Sequence, residues 1–196
     1  MGRLFTIGYS GLEMPGFIEL LVRNAVAVVC DVRSTPFSKF KPDFSRGPFR
    51  RHLNAANIKY VFLGAELGAR PEDRSCYVDG QARYERIAAT EPFRRGIERV
   101  GNGIATTTLA LVCSERDPAE CHRAILVAHR LGALRDTIAH IHTDGAVETQ
   151  AAFDARLVAL HGLTPPPLLS APGDDERALA LAYDKQADAI AYRERG

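Results

Sequence analysis

Three consecutive residues of this chain, Cys121, His122 and Arg123, carry side chains that can take part in covalent or acid–base chemistry. An imidazole and a guanidinium beside a thiol favour the thiolate, which is the nucleophilic form of cysteine. The carboxyl group of Glu115 precedes them and can exchange protons with the same groups. We therefore regard Cys121, His122 and Glu115 as candidate catalytic residues. The alternative is that Cys121 is a small, buried, unreactive side chain.

The segment that contains these residues is predicted to be a strand, a polar turn and a helix. Residues 109–113 are an apolar run of the length expected for a strand buried on both faces. Asp117 and Pro118 are typical of a helix start, and Glu120 completes a capping box. The backbone amides of a helix start attract anions and favour a thiolate, so the first turn is the place where chemistry is expected.

The composition is that of an ordinary soluble globular protein. Of the 196 residues, 46% are hydrophobic and 25% are charged, and the formal net charge of +1 provides no overall field that would select nucleic acid or a membrane. The sequence has no leader pattern and no apolar run long enough to span a bilayer. The four cysteines lack the spacing of a disulfide framework. We expect a reduced, cytoplasmic protein with no membrane partner.

Apolar runs of strand length alternate with helical patterns along most of the chain. This alternation predicts an α/β fold with a mainly parallel sheet of about five strands and helices on both faces. We assign residues 1–162 to this domain, residues 163–175 to a proline-rich linker and residues 176–196 to a C-terminal helix. That helix either packs on its own domain or forms a homodimer with a second copy.

Ligands of parallel sheets bind beyond the carboxyl ends of the strands, and the predicted strands of this chain end in polar residues and glycines. We expect an anionic small molecule to bind there, with Arg33 and Arg123 holding its charge. The alternative is that Asp31, Arg33 and Glu115 only pair with one another. The candidate ligand-binding residues are Tyr9, Ser10, Arg33, Ser34, Gly68, Arg70 and Arg123.

The stretch from Phe37 to His52 mixes basic and aromatic residues. Between Arg33 and His52 there are six lysines or arginines and one acidic residue, Asp43. Basic groups can follow a phosphate backbone while aromatic rings stack on bases, so this stretch is a candidate nucleic-acid surface. The alternative is a lid whose phenylalanines enter the core. The candidate nucleic-acid contacts are Lys39, Lys41, Arg50 and Arg51.

A metal site is a further interpretation of the thiols and imidazoles. Cys113, Cys121 and His122 can converge, with Cys30 or His140 from neighbouring strands. The chain has no closely spaced cysteine or histidine pair of the kind found in common zinc motifs, so we assign no metal and leave the cofactor unknown.

Several motifs, taken together and in this order, resemble the domain-of-unknown-function family numbered 488. The resemblance covers roughly residues 3 to 150 and implies a compact α/β domain without an established activity. The chain departs from the usual pattern at Ala65 and Ala69, where glycine is frequent, and at Tyr9, where many relatives carry histidine. The motifs are TIGYS from Thr6, DVRS from Asp31, YVFLGAELGAR from Tyr60, LVCSERDPAECHR from Leu111, and His140-Ile141 before Asp144-Gly145.

These observations lead to two expectations about function. The first is an enzyme that binds a phosphate-bearing or nucleic-acid-derived ligand at the carboxyl edge of its sheet. The second is a non-catalytic module that binds a nucleotide or nucleic acid. The residues are compatible with both, so whether the protein is an enzyme stays open at this point.

Overall fold

The computed structural model describes residues 2–164 and 173–194. Its central sheet has the strand order β3-β2-β6-β1-β7-β8, in which β8 alone is antiparallel to its neighbour. The predicted α/β fold is confirmed, with six strands in this sheet rather than five. The strands are β1 (Leu4–Gly8), β2 (Val28–Asp31), β3 (Lys59–Phe62), β4 (Tyr77–Val78), β5 (Gln81–Ala82), β6 (Leu109–Cys113), β7 (Ile138–Ile141) and β8 (Val147–Thr149). Strands β4 and β5 form a separate two-stranded hairpin.

Helices cover both faces of the sheet and divide the core into two clusters. One cluster contains Phe17 from α1 and Phe49 from α2, and the other contains Phe93 from α5, Phe153 from α6 and Tyr183 from α7. The helices are α1 (Met14–Arg23), α2 (Arg46–Ala55), α3 (Gly64–Leu67), α4 (Tyr84–Ala88), α5 (Glu91–Thr106), α6 (Gln150–Leu160) and α7 (Asp174–Ile190).

Strand β6 lies in the middle of the sheet and all five of its residues are buried. Side chains alternate along a strand, so Leu109, Leu111 and Cys113 enter the cluster beneath α5 and α7, whereas Ala110 and Val112 enter the other. This alternation places the Cys113 thiol on the same face of the sheet as Cys121.

The helix predicted after Asp117 is not a continuous α-helix. Pro118–Glu120 forms one 3₁₀ turn, in which the Asp117 carboxylate accepts a hydrogen bond from the Ala119 N–H at 2.8 Å. Cys121 is then extended, with φ −138° and ψ 136°. A π-helical turn, Arg123–Val127, follows, and then 3₁₀ structure over Ala128–Thr137 that is interrupted by a kink at Leu131. All side chains of the π-helical turn are buried, so tertiary packing outweighs the α-helical period here.

The C-terminal helix α7 packs on the α/β domain. Ala182 and Tyr183 are buried in its core, and the side chain of Gln186 donates a hydrogen bond to the Ala119 carbonyl at 2.8 Å. Most of the predicted linker, residues 165–172, lies outside the described residues, so the domain boundaries remain predictions. No helix in the described ranges has the length and apolar character needed to cross a membrane.

Candidate functional site

A cleft of about 560 Å³ lies at the carboxyl ends of β1, β2 and β6. This is the edge at which parallel sheets bind ligands. The cleft wall includes the predicted residues Tyr9, Arg33, Ser34, Arg70, Glu115 and His122. Cys113, which the metal interpretation named with Cys121 and His122, also lines it, as do Tyr84 and Tyr192, which were not predicted.

Cys113, Cys121 and His122 form a compact group that we call the thiol–imidazole cluster. The Nδ1 atom of His122 is 3.7 Å from Cys113 Sγ and 3.9 Å from Cys121 Sγ, and all three atoms lie within 4.8 Å of one another. The Cys121 thiol also donates a hydrogen bond to Glu115 Oε2 at 3.0 Å. The structure therefore brings the three candidate catalytic residues together and adds Cys113 to them.

The imidazole of His122 is held in one orientation by the end of β2. Its Nε2 atom is 3.0 Å from the Val32 carbonyl oxygen, an acceptor, so we assign the ring proton to Nε2. The Nδ1 atom then faces the two sulfur atoms. Burial lowers the pKa of His122, but the hydrogen bond with Cys121 and the negative charges of Cys121 and Glu115 outweigh burial, so its pKa is raised.

The acidic groups of this site are strongly coupled. Burial favours the neutral acid of Glu115, yet hydrogen bonds from the Cys113 and Cys121 thiols lower its pKa to about 2. Burial likewise opposes the Cys121 thiolate, but the Cys113 thiol, the charge of Arg123 and His122 lower its pKa to about 6. Cys121 cannot donate a proton to Glu115 and carry a negative charge at once. The titration steps of Glu115 and the two thiols therefore belong to the coupled group and not to single residues.

Arg123 lies beneath the cleft and does not form part of its wall. Its side chain is completely buried, and its guanidinium donates to the Glu115 carbonyl at 2.7 Å, the Arg116 carbonyl at 3.2 Å and Thr6 Oγ1 at 3.3 Å. Gly8 makes this approach possible, because a Cβ there would lie 1.7 Å from the Glu115 carbonyl oxygen. Arg123 thus fixes the loop that carries Glu115.

Arg33 lies in the cleft wall with its charge already compensated. Its Nε and Nη2 atoms donate to the two carboxylate oxygens of Asp31 at 2.8 and 2.6 Å. The Tyr60 hydroxyl donates to Asp31 Oδ2 at 2.8 Å, and the Phe44 carbonyl accepts from Arg33 Nη1 at the same distance. The Asp31–Arg33 pair of the alternative interpretation is thus present, without Glu115.

Arg70 differs from both of these arginines. Its side chain is exposed at the cleft, stacks over the Tyr192 ring at 4.4 Å and has no ion-pair partner in the described part of the chain. The Arg70 backbone N–H donates to Ser34 Oγ at 3.0 Å. Gly68 lies directly behind this serine, because a Cβ at Gly68 would approach Ser34 Oγ to 2.4 Å. Arg70 is therefore the cation of the cleft that remains available to a ligand.

Ser10 is placed behind the cleft wall. Its backbone N–H donates to the Ser114 carbonyl at 2.9 Å, which ties the end of β1 to the loop after β6. It therefore supports the loop that carries Glu115.

The basic and aromatic stretch is divided between core and surface. Phe44 and Phe49 are buried, whereas Phe37 and Phe40 are 67% and 90% exposed. Lys41 pairs with Glu13. The remaining three candidate nucleic-acid contacts are exposed and have no ion-pair partner within residues 2–164 and 173–194: Lys39, Arg50 and Arg51.

Two lining residues differ in how far the sequence could have revealed them. Cys113 ends the apolar run of residues 109–113, and its predicted convergence with Cys121 and His122 is present in the structure. Tyr192 follows α7 and reaches the cleft only because that helix packs on the domain. No local pattern indicates that contact.

Comparison with known proteins identifies one family. The searches of curated proteins and of solved structures give no match. The model of the family described as "Domain of unknown function DUF488" matches residues 13–130, which is more than half of the chain. The matched span includes Arg33, Arg70, Cys113, Glu115 and His122, and confirms the resemblance seen in the motifs. The chain belongs to this family of unknown function, DUF488.

Proposed function

We propose that this protein is an enzyme that binds a phosphate-bearing or nucleic-acid-derived ligand in the cleft. The observation that carries the proposal is the presence of an uncompensated cation, Arg70, in the same cavity as the reactive groups of Cys113, Glu115 and His122. A volume of about 560 Å³ lies in the range of small-molecule sites, roughly 300–1,000 Å³.

The proposed roles follow from the contacts of each side chain. Arg70 holds the anionic group of the ligand, with Ser34 and Tyr9 as neighbouring hydroxyl groups. Glu115 moves protons, because its carboxylate lines the cleft and contacts the Cys121 thiol. His122 acts on the thiols through Nδ1, since its Nε2 proton is held by the Val32 carbonyl. Arg33 and Arg123 are positioning residues in this scheme, since their guanidinium groups are occupied by protein acceptors.

The binding part of the proposal is tested by thermal denaturation with inorganic phosphate, pyrophosphate and adenosine monophosphate. At least one of these anions should raise the melting temperature of the wild type and not that of Arg70→Ala. Arg95→Ala is the matched control, because Arg95 is an exposed arginine on α5 outside the cleft wall. Equal shifts in Arg70→Ala and the wild type, or no shift with any anion, would reject the cleft as an anion site.

The catalytic part is tested with p-nitrophenyl esters of phosphoric, phosphodiester and carboxylic type. General acid–base catalysis contributes about 10²–10⁴-fold, so Glu115→Gln should lose at least about 100-fold of any turnover. Glu98→Gln should retain it, since Glu98 is an exposed carboxylate outside the cleft wall. Turnover that survives in Glu115→Gln contradicts the assigned role.

A second candidate is a module that binds single-stranded nucleic acid, and the exposure of Phe37 and Phe40 favours it. Binding without turnover, weakened steeply by salt and by Phe40→Ala, would identify this function.

The four cysteines are free in the structure, and we propose a cytoplasmic location because reduced thiols persist there.

A further inference from the structure

We infer that Cys113, Cys121 and His122 bind a zinc ion whose fourth coordination position opens onto the cleft. The three donor atoms come from two separate segments, the end of β6 and the turn before the π helix, and the fold brings them together. Two thiolates and one imidazole form a donor set that favours zinc over hard cations such as Mg²⁺.

The distances between the donor atoms fit a tetrahedral ion. With Zn–S near 2.3 Å and Zn–N near 2.0–2.1 Å, two ligands of a tetrahedron are about 3.5–3.8 Å apart. The observed Nδ1–Sγ distances are 3.7 Å to Cys113 and 3.9 Å to Cys121. The two sulfur atoms lie within 4.8 Å of each other, so sharing one ion needs them to approach by at most about 1 Å.

The surroundings of the donor atoms also resemble those of a metal site. Ligating histidines commonly donate their second ring N–H to a carbonyl or carboxylate, which directs the free lone pair at the metal. His122 does this through Nε2 and the Val32 carbonyl at 3.0 Å. The backbone N–H of Arg123 donates to Cys121 Sγ at 3.5 Å, which stabilises a thiolate there. The charge of the ion is balanced as well, since two thiolates neutralise Zn²⁺.

Glu115 is placed to act on a water molecule bound to the ion. Its Oε2 atom touches Cys121 Sγ and its side chain lines the cleft, while Ser114 Oγ donates to its other oxygen at 2.8 Å. A zinc ion held there would supply an activated water as the nucleophile for an ester. Glu115 would accept the proton lost by that water and return it to the leaving oxygen, which departs with the electrons of the broken bond. This hydrolysis step rests on the proposed function, whereas the metal site does not.

The test is the zinc content and zinc environment of the reduced full-length protein. We expect about one zinc per chain after reconstitution and dialysis, lost in Cys121→Ser and in His122→Asn. Cys30→Ser is the matched control, because Cys30 is also a buried strand thiol but lies outside the cluster. Folding of each variant is checked by circular dichroism.

X-ray absorption at the zinc edge of the wild type decides the result even if a variant fails to fold. We expect two sulfur neighbours near 2.3 Å and one nitrogen near 2.0–2.1 Å. A zinc content well below stoichiometric, a shell without sulfur, or equal loss in Cys30→Ser would overturn the inference. These outcomes leave the anion-binding test with Arg70→Ala unaffected, so the two proposals fail separately.

Discussion

The buried polar residues near the cleft are organised around two arginines. Arg33 neutralises a completely buried carboxylate, Asp31, and Arg123 satisfies backbone carbonyls of the Glu115 loop. Both arrangements fix the walls of the cleft before any ligand arrives. A preorganised wall of this kind limits the reorganisation that a charged ligand would otherwise cause.

Removing the Asp31 charge should strongly destabilise the protein. Asp31→Asn leaves the Arg33 guanidinium buried without a counter-charge, and breaking such a pair costs about 3–5 kcal/mol in the free energy of unfolding. Urea denaturation measures this. Glu91→Gln, which removes an exposed pair with Arg94, should change the free energy by less than about 1 kcal/mol. Similar losses of stability in both variants would contradict the role of Asp31 as the counter-charge of the buried Arg33.

Two histidines, His140 buried and His129 partly buried, should make the protein less stable in acid. Burial and the charge of Arg123 lower the pKa of His140 to about 3, and burial and the charges of Arg130 and Arg135 lower that of His129 to about 4. The unfolded chain binds these protons near pH 6.5, before the folded chain does, so stability falls as the pH drops below about 6.5. Each histidine contributes a slope of up to about 1.4 kcal/mol per pH unit.

The measurement is the free energy of unfolding from pH 7 to 4.5. His129→Phe, which keeps a ring against Tyr183, should have a shallower slope than the wild type. Val22→Ala alters an exposed side chain that does not titrate and should leave the slope unchanged. An unchanged slope in His129→Phe would mean that His129 is not held neutral in the folded chain.

Among the elements, α7 contributes two buried side chains, Ala182 and Tyr183, to the core. The Tyr183 hydroxyl donates to Asp154 Oδ1 at 2.8 Å, and its ring stacks on His129 with 3.8 Å between centroids. Gln81 is also bonded to this helix, through the Asp188 carbonyl at 2.8 Å. Helix α7 therefore belongs to the same core as α6.

Tyr183→Ala should destabilise the whole domain by about 3–5 kcal/mol, because it removes a large buried ring and leaves Asp154 with one partner fewer. The neighbouring Leu181 is 45% exposed, and Leu181→Ala should cost less than about 1 kcal/mol. Thermal denaturation compares the two. A neutral Tyr183→Ala variant would show that residues 1–162 are stable without the tail helix.

The sequence predicted the elements whose signals are local. The continuous apolar runs of β2 and β6 and the alternation of strands with helices are visible in the chain and are confirmed. The π-helical turn over Arg123–Val127 was not predictable, since all five of its side chains are buried by tertiary packing, which no local pattern reports. The short β4 and β5 strands were missed for a related reason, because β5 is also bridged to Arg193, far along the chain.

At the scale of the whole molecule, the topology predicts where the site lies but not which charges remain free. The parallel sheet order gathers the ends of β1, β2 and β6 at one edge, as the strand pattern predicted. Which arginine faces a ligand depends on tertiary partners. The guanidinium groups of Arg33 and Arg123 donate hydrogen bonds to acceptors inside the protein. Arg70, on a loop, has no ion pair with any described carboxylate.

The central claim is that this cleft is the ligand site of the protein. A crystal of the wild type soaked in tungstate, an electron-dense mimic of phosphate, tests it most directly through the anomalous signal of tungsten. We expect a tungstate ion in the cleft, in hydrogen-bond contact with Arg70 and beside His122. Tungstate found only on other basic surfaces, such as Arg50 and Arg51, with the cleft unoccupied, would contradict it.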